Sequence, residues 1–245
     1  MIKNLRQLGE FIESHFINNQ SSIEKSREIV TALNTKEQIV HLIKKILTDK
    51  EYLQKIASRS YAHSNGFDKF VLLISDKPQY KLRLHVWWED KAFLTPEHIH
   101  NHSWDFSSAL ITGAFRFQEY QVKDDGFEVY HYECGFPKEI EKGQEIQNSD
   151  MGYRMRYLGI STLSNIFDTT LSAGSSYSLS QDVLHQITNI PGEITSTIVL
   201  HGQFLRSSSD LFSCQAINKS ESITVHKFEV TELISKFEKY LSFLE

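Results

Sequence analysis

Residues 96–106 read PEHIHNHSWDF, and within them His98, His100 and His102 fall at every second position. Only 11 histidines serve a chain of 245 residues, so this is a concentration. Alternating histidines either line a solvated strand face or offer imidazole nitrogens to a metal ion. For an ion, geometry limits how many can take part. In an extended chain, residues two apart are separated by about 6.5–7 Å and residues four apart by about 13 Å. Imidazoles at the ends of the longer span cannot converge on one ion with bonds of about 2 Å. One neighbouring pair is therefore the most that an ion can use: His98 with His100, or His100 with His102. A further ligand must come from elsewhere. His185 is the distant candidate, placed in GSSYSLSQDVLHQITN (174–189) just after the turn-like SQD. Asp105 is either a fourth ligand or a carboxylate that orients a ligand histidine through its second N–H. Under strict alternation it points away from the even-numbered histidines.

Three neutral imidazoles leave the 2+ charge of an ion intact and two or three positions open. Imidazole suits iron, zinc, copper and nickel, so donor type alone does not choose the metal. With Fe(II), the open positions can take a chelating substrate and O2. With zinc, an open position holds an activated water instead. A closed structural zinc site would favour cysteine, and Cys134 and Cys214 both lie far along the chain from these motifs.

Three further residues are candidates for substrate binding or catalysis. In KLRLHVWW (81–88), Arg83, His85 and Trp87 share one strand face while Leu82, Leu84 and Val86 share the other. If the odd face lines an interior, Arg83 can hold an anionic substrate; if it faces solvent, Arg83 is a surface charge. Tyr177, eight residues before His185, either donates a hydrogen bond into the cavity or serves ordinary packing. His201 either serves acid–base chemistry, because an unperturbed imidazole titrates near neutrality, or is a satisfied core histidine. Arg154 and Arg156 alternate with Tyr153, Met155 and Tyr157, the pattern of a solvated strand face.

The elements that must position these residues fall into two textures. Up to about residue 58 the period is helical: Ile39, Leu42, Ile43, Ile46 and Leu47 follow the spacing of an amphipathic helix, with Asn34 or Thr35 as its cap. Asp49 can cap a following helix. After about residue 67, short β-branched and aromatic segments predict strands at 70–75, 81–88, 106–122, 127–133, 152–162, 176–180, 184–189 and 195–205. DDG at 124–126 reads as a hairpin turn. With no helices between the strands, the pattern predicts an all-β sandwich or barrel. Residues 231–244 return to helical period. The expected organisation is a helical segment, 1–66, packed on a barrel with a C-terminal helix, 67–245.

Composition bounds the partners. The formal net charge is −5, with 40% apolar and 12% aromatic residues. No Lys/Arg stripe marks a nucleic-acid surface. MIKNLRQLGE lacks a signal-peptide h-region, and no apolar run approaches the roughly 18 residues that span a bilayer. The expectation is a cytoplasmic protein with reduced thiols that binds neither nucleic acid nor membrane. A homodimer is plausible for a sheet-rich barrel with exposed edges.

The two histidine motifs resemble those of the cupins, a family with a double-stranded β-helix (jelly-roll) barrel. The family's second motif is G-x5-P-x-G-x2-H-x3-N; Gly174, His185 and Asn189 match it, with Ser180 and Asp182 at its proline and second glycine. Its first motif, His-x-His followed by an acid and a glycine, is met by the histidine run, Asp105 and Gly113. The resemblance covers roughly residues 80–205. Within the family, the helical N-terminal segment and LHVWW…PEHIHNHSWDF resemble the cysteine-dioxygenase-like cupins. His98–His100 puts Asp105 at the family's usual spacing but leaves Gly113 one residue late; His100–His102 leaves it one early, and H-x-H-x-W-D-F resembles a subgroup with that shorter spacing. His100–His102 is thus favoured, with His98 as the alternative to His102.

The resemblance implies a mononuclear metal held by three neutral histidines, most readily Fe(II), with Zn, Ni, Mn or Cu also open. It also implies a non-haem iron dioxygenase using O2 on a small polar molecule, thiols included. A metal-dependent cupin isomerase or hydrolase that does not use O2, or a non-catalytic ligand-binding cupin, remain the alternatives. Three departures bear on the substrate. The family's crosslinking cysteine is missing near Asp105 and Ser107. Its Ser-x-His-x-Tyr triad meets Val199, His201 and Gln203, and its carboxylate-binding arginine meets His63. These put cysteine itself in doubt as substrate.

Overall fold

The computed structural model describes residues 4–16, 22–63, 65–89, 97–135, 154–217 and 226–245. In chain order the elements are α1 (Leu5–Ser14), α2 (Ile23–Leu33), α3 (Lys36–Leu47), α4 (Lys50–Ala57), β1 (Tyr61–Ala62), β2 (Asp68–Asp76), β3 (Gln79–Trp87), β4 (Ile99–His100), β5 (Phe106–Thr112), β6 (Ala114–Gly135), β7 (Arg154–Ser172), β8 (Ser176–Leu179), β9 (Leu184–Asn189), β10 (Thr195–His201), β11 (Ser208–Ser213), β12 (His226–Lys227) and α5 (Val230–Leu244).

Side-chain caps start the first four helices. Asn4, Ser22, Thr35 and Asp49 each accept a hydrogen bond from a backbone N–H inside the first turn, satisfying donors that would otherwise be orphaned. Of the two residues expected to cap α3, Thr35 does so. The stripe Ile39, Leu42, Ile43 and Ile46 is buried.

The strands form two antiparallel sheets, ordered β12-β1-β2-β3-β10-β5-β8 and β11-β4-β9-β6-β7, with β11 also paired to β6. The result is a mainly β, jelly-roll fold of two antiparallel sheets. The larger sheet carries helices on its outer face. Leu82, Leu84, Val86, Ile198 and Leu200 join the helical residues Leu8, Ile29, Ile43 and Phe237 in one buried apolar cluster. Polar contacts reinforce α5: Lys236 Nζ donates to buried Asp68 (2.8 Å) and Tyr240 Oη donates to Ser196 Oγ (2.6 Å). The barrel interior is a separate set centred on Trp104, Phe106, Phe115, Phe117, Leu179 and Val199.

Two local expectations are corrected. DDG does not turn a hairpin. Val122 and Phe127 both pair with Leu163, so residues 123–126 bulge out of a strand that continues in the same direction. Gly126 is needed there because a Cβ would collide with the Leu163 carbonyl. In addition, β7 runs on to Ser172, well beyond the strand end expected at residue 162, because the long β6 gives it a partner along its length. The start of that expected strand, with Tyr153, lies outside the described residues. At Gly113 the backbone has φ of +68°, and a Cβ would clash with Thr195; the first motif's glycine is fixed by both demands. Among the described residues no helix is long and apolar enough to cross a membrane. Cys134 and Cys214 are not disulfide-bonded.

Candidate metal centre

His100 ends β4, and β4 pairs with both β11 and β9, placing His100 directly opposite His185. The strand stops there. His102 lies in the loop before β5, so the alternation of an extended strand no longer separates it from His100. The ring centroids are 4.6 Å apart for His100–His185, 4.9 Å for His100–His102 and 5.1 Å for His102–His185. One nitrogen of each ring lies within 4.8 Å of the other two. His98 is exposed and outside this group, but its backbone contributes: His100 Nδ1 donates to the His98 carbonyl at 2.8 Å. His185 Nδ1 likewise donates to the Val183 carbonyl at 3.1 Å. A carbonyl only accepts, so in both rings Nδ1 carries the proton and Nε2 keeps its lone pair.

The cluster is held neutral. Burial lowers the pKa of all three histidines, and neighbouring imidazoles lower His102 and His185 further; His185 is pushed down to about 3. Neutral imidazoles with aligned lone pairs are the state that a transition metal requires. Three such donors suit a single divalent ion with open positions. Among the described residues no carboxylate or thiol joins them.

Asp105 is not part of the cluster. Its Oδ1 accepts from the Gln181 N–H at 2.8 Å, which ties the HxH loop to the turn before β9. Aromatic rings wall the histidines. His102 stacks on Trp104 at 5.4 Å, and Phe106 and Phe117 face His185 at 5.8 and 6.2 Å. Tyr177, on β8, packs against Phe117 at 5.1 Å in the same wall.

The odd face of β3 turns inward, while Leu82, Leu84 and Val86 pack under the helices. Arg83 is buried, lies over the Trp104 ring at 5.4 Å and donates from Nη2 to His201 Nε2 at 2.7 Å. His201 Nδ1 donates to the Gly202 carbonyl at 2.8 Å, and its ring stacks on Trp104 at 4.5 Å. Burial and the Arg83 charge push its pKa well below the ordinary value. His201 is thus a neutral acceptor that fixes Arg83, not a group titrating near neutrality.

Several residues with no sequence signal complete the site. Asn101, between the two histidines, clamps Asp210: its Nδ2 donates to Asp210 Oδ2 (2.9 Å) and its Oδ1 accepts from the Asp210 N–H (2.7 Å). Arg206 donates to the carbonyls of His102 (3.0 Å) and Gln181 (2.9 Å), joining the His102 loop to the turn that leads into β9 and His185. Both act largely through backbone groups, which no spacing rule reveals. The interior also holds Lys69, whose Nζ donates to Tyr61 Oη at 3.0 Å and whose pKa is lowered by burial and by Arg83. Glu97 is raised by burial to about 7.

No protein-family model and no curated protein matches the sequence. Several solved structures match at low sequence identity. One is an RmlC-like cupin with a double-stranded β-helix fold from Methanocaldococcus jannaschii, at 10% identity and TM-score 0.31, over 58% of this chain and 84% of that one. Another is the hydroquinone 1,2-dioxygenase PnpCD in complex with Cd2+ and 4-hydroxybenzonitrile, at 9% identity and TM-score 0.32, over 62% and 71%. A third comes from crystal structures of the DMSP lyases RdDddP and RnDddQII, at 10% identity and TM-score 0.31, over 58% of this chain and about half, 51%, of that one.

Proposed function

We propose that His100, His102 and His185 hold one divalent metal, Fe(II), and that the protein is a non-haem iron oxygenase acting on a small, acid-bearing polar molecule. The observation that carries this reading is the cluster of three neutral imidazoles within 4.8 Å, two with Nδ1–H anchored on carbonyls. Bound there, Fe(II) supplies redox chemistry with dioxygen.

The chain's own residues do the rest. Arg83 receives the acid group of the substrate. His201 and Trp104 hold the guanidinium in place, so little side-chain entropy is lost on binding. Lys69 adds a second interior cation. Trp104, Phe106, Phe117 and Tyr177 exclude water from the histidines, which strengthens each electrostatic contact inside. Asp105 and Arg206 keep the two histidine-bearing loops in register through backbone groups.

Glu97 favours a second reading. A buried carboxyl with a pKa of about 7 is suited to general acid–base work at neutral pH, as in a metal-dependent isomerase or hydrolase. Oxygen uptake by Fe(II)-loaded protein, measured with a panel of small thiol and non-thiol acids, separates the two. Uptake matched to substrate loss is the expected result. Substrate turnover with no oxygen consumed would transfer the assignment to the second reading.

A further inference from the structure

We infer that β7 is the pairing edge of a two-fold homodimer, in which β7 of a second copy lies antiparallel to it and centred on Thr162.

Among the described residues, β7 ends the five-stranded sheet, with β6 as its one strand neighbour. An edge this long is a template for pairing with another chain, and soluble proteins commonly blunt such edges with charge. This one is not blunted in that way. From Tyr157 to Phe167 the sequence is YLGISTLSNIF, eleven residues with no charge. Leu158, Ile160, Ile166 and Phe167 are 47%, 54%, 51% and 49% exposed. Large apolar side chains left out on an uncharged edge are the mark of a covered surface.

The sequence and the bends of the strand say what covers it. Turned end for end about Thr162, β7 lays Arg156 opposite Asp168, Tyr157 opposite Phe167, and Leu158 opposite Ile166. Opposite charges meet at both ends, two apolar pairs lie just inside them, and uncharged pairs such as Ile160 with Ser164 fill the centre. The backbone repeats the symmetry. Its ladder with β6 skips one residue at Leu158 and one at Ile166, each four positions from Thr162. Bulges bend a strand and usually defeat open-ended pairing. Two bulges placed symmetrically admit a mate with the same bends, which a second copy supplies. The charged ends are already ordered, since Arg156 Nη2 bonds Glu133 at 2.7 Å and Arg116 Nε bonds Asp168 at 2.8 Å. The two pairs of one end then form a four-charge network across the rim. Such a contact is self-complementary and closes at two copies.

The inference stands independently of the metal reading. Its test is the mass of untagged full-length protein at about 50 μM, a concentration in the range of weak homodimers, by light scattering after size exclusion. Wild type is expected at twice 28.4 kDa. Ile160→Lys and, separately, Leu158→Lys return it to 28.4 kDa with an unchanged circular dichroism spectrum. Register is read by Thr162→Cys in a Cys214→Ser background. Residues facing each other across an antiparallel pair are close enough for a disulfide, so mild oxidation gives a crosslinked dimer. Ile160→Cys, which faces Ser164 of the second copy, does not crosslink. A monomeric wild type, a dimer that survives both lysine variants, or crosslinking at position 160 in place of 162 would each overturn the inference.

Discussion

The two faces of one strand, β3, show how differently the chain treats its two interiors. Leu82, Leu84 and Val86 enter a mainly apolar cluster with the helices. One residue away in each case, Arg83, His85 and Trp87 face the barrel, among buried histidines and Lys69. Burying cations and neutral imidazoles costs desolvation energy that apolar packing would avoid. The first face holds the fold together. On the proposed reading, the second retains costly groups for ligand binding.

Substitutions should therefore separate along that line. The largest effect is expected at the cluster. His185→Ala and His102→Ala abolish metal binding, at least about 100-fold by the loss of one of three ligands, whereas His98→Ala, outside the cluster, leaves affinity within a few-fold. Titration with Co(II) or Fe(II) reads both, and equal losses at His98 and His102 would break the distinction. Next comes Leu84→Ala on the dry face, which should cost about 2–5 kcal/mol of stability by leaving a cavity. Measured by denaturant unfolding of metal-free protein, Arg83→Met on the opposite face should cost less than about 2 kcal/mol, because a buried charge goes with the lost hydrogen bond. Its expected signature is a raised KM. Arg206→Ala comes third. Loosening the two loops should weaken metal affinity about 10–100-fold, as for other residues that orient ligands, and Arg206→Lys should recover it only in part.

The last effect, felt only under acid conditions, is on pH dependence. His185 has a folded pKa of about 3, below the roughly 6.5 of an unfolded histidine. The unfolded chain therefore binds more protons in that window. The stabilisation is complete above about pH 6.5 and is lost as pH falls toward 3, with a slope of about 1.4 kcal/mol per pH unit for each such histidine. Unfolding of metal-free His185→Gln should show a shallower acid slope than wild type by about one proton. An unchanged slope would mean that His185 is not held neutral by the fold.

Much of this arrangement was legible in the sequence, for reasons that differ by element. α3 and α4 announced themselves through their caps, Thr35 and Asp49, and α3 also through a 3.6-residue stripe, both local signals. The grouping of His100, His102 and His185 was readable because candidate ligands are particular residue types at particular spacings. DDG misled because turn residues also serve bulges, and only the pairing of Val122 and Phe127 with Leu163 distinguishes the two. Asn101, Arg206 and Asp210 were not legible, because their partners are carbonyls and side chains far along the chain. Of the two readings open for His201, the buried core histidine fits its environment: its pKa is lowered by burial and by Arg83, more than a hundred residues away in sequence, which no local signal reveals.

The central claim is that three neutral histidines form one metal site, and metal content tests it most directly. Protein purified without a histidine tag and loaded anaerobically with Fe(II) should carry close to one equivalent per chain by elemental analysis, and the His185→Ala variant close to none. Less than about 0.2 equivalents in the wild type, where tight binding to a three-imidazole site demands near-full occupancy, would contradict the account.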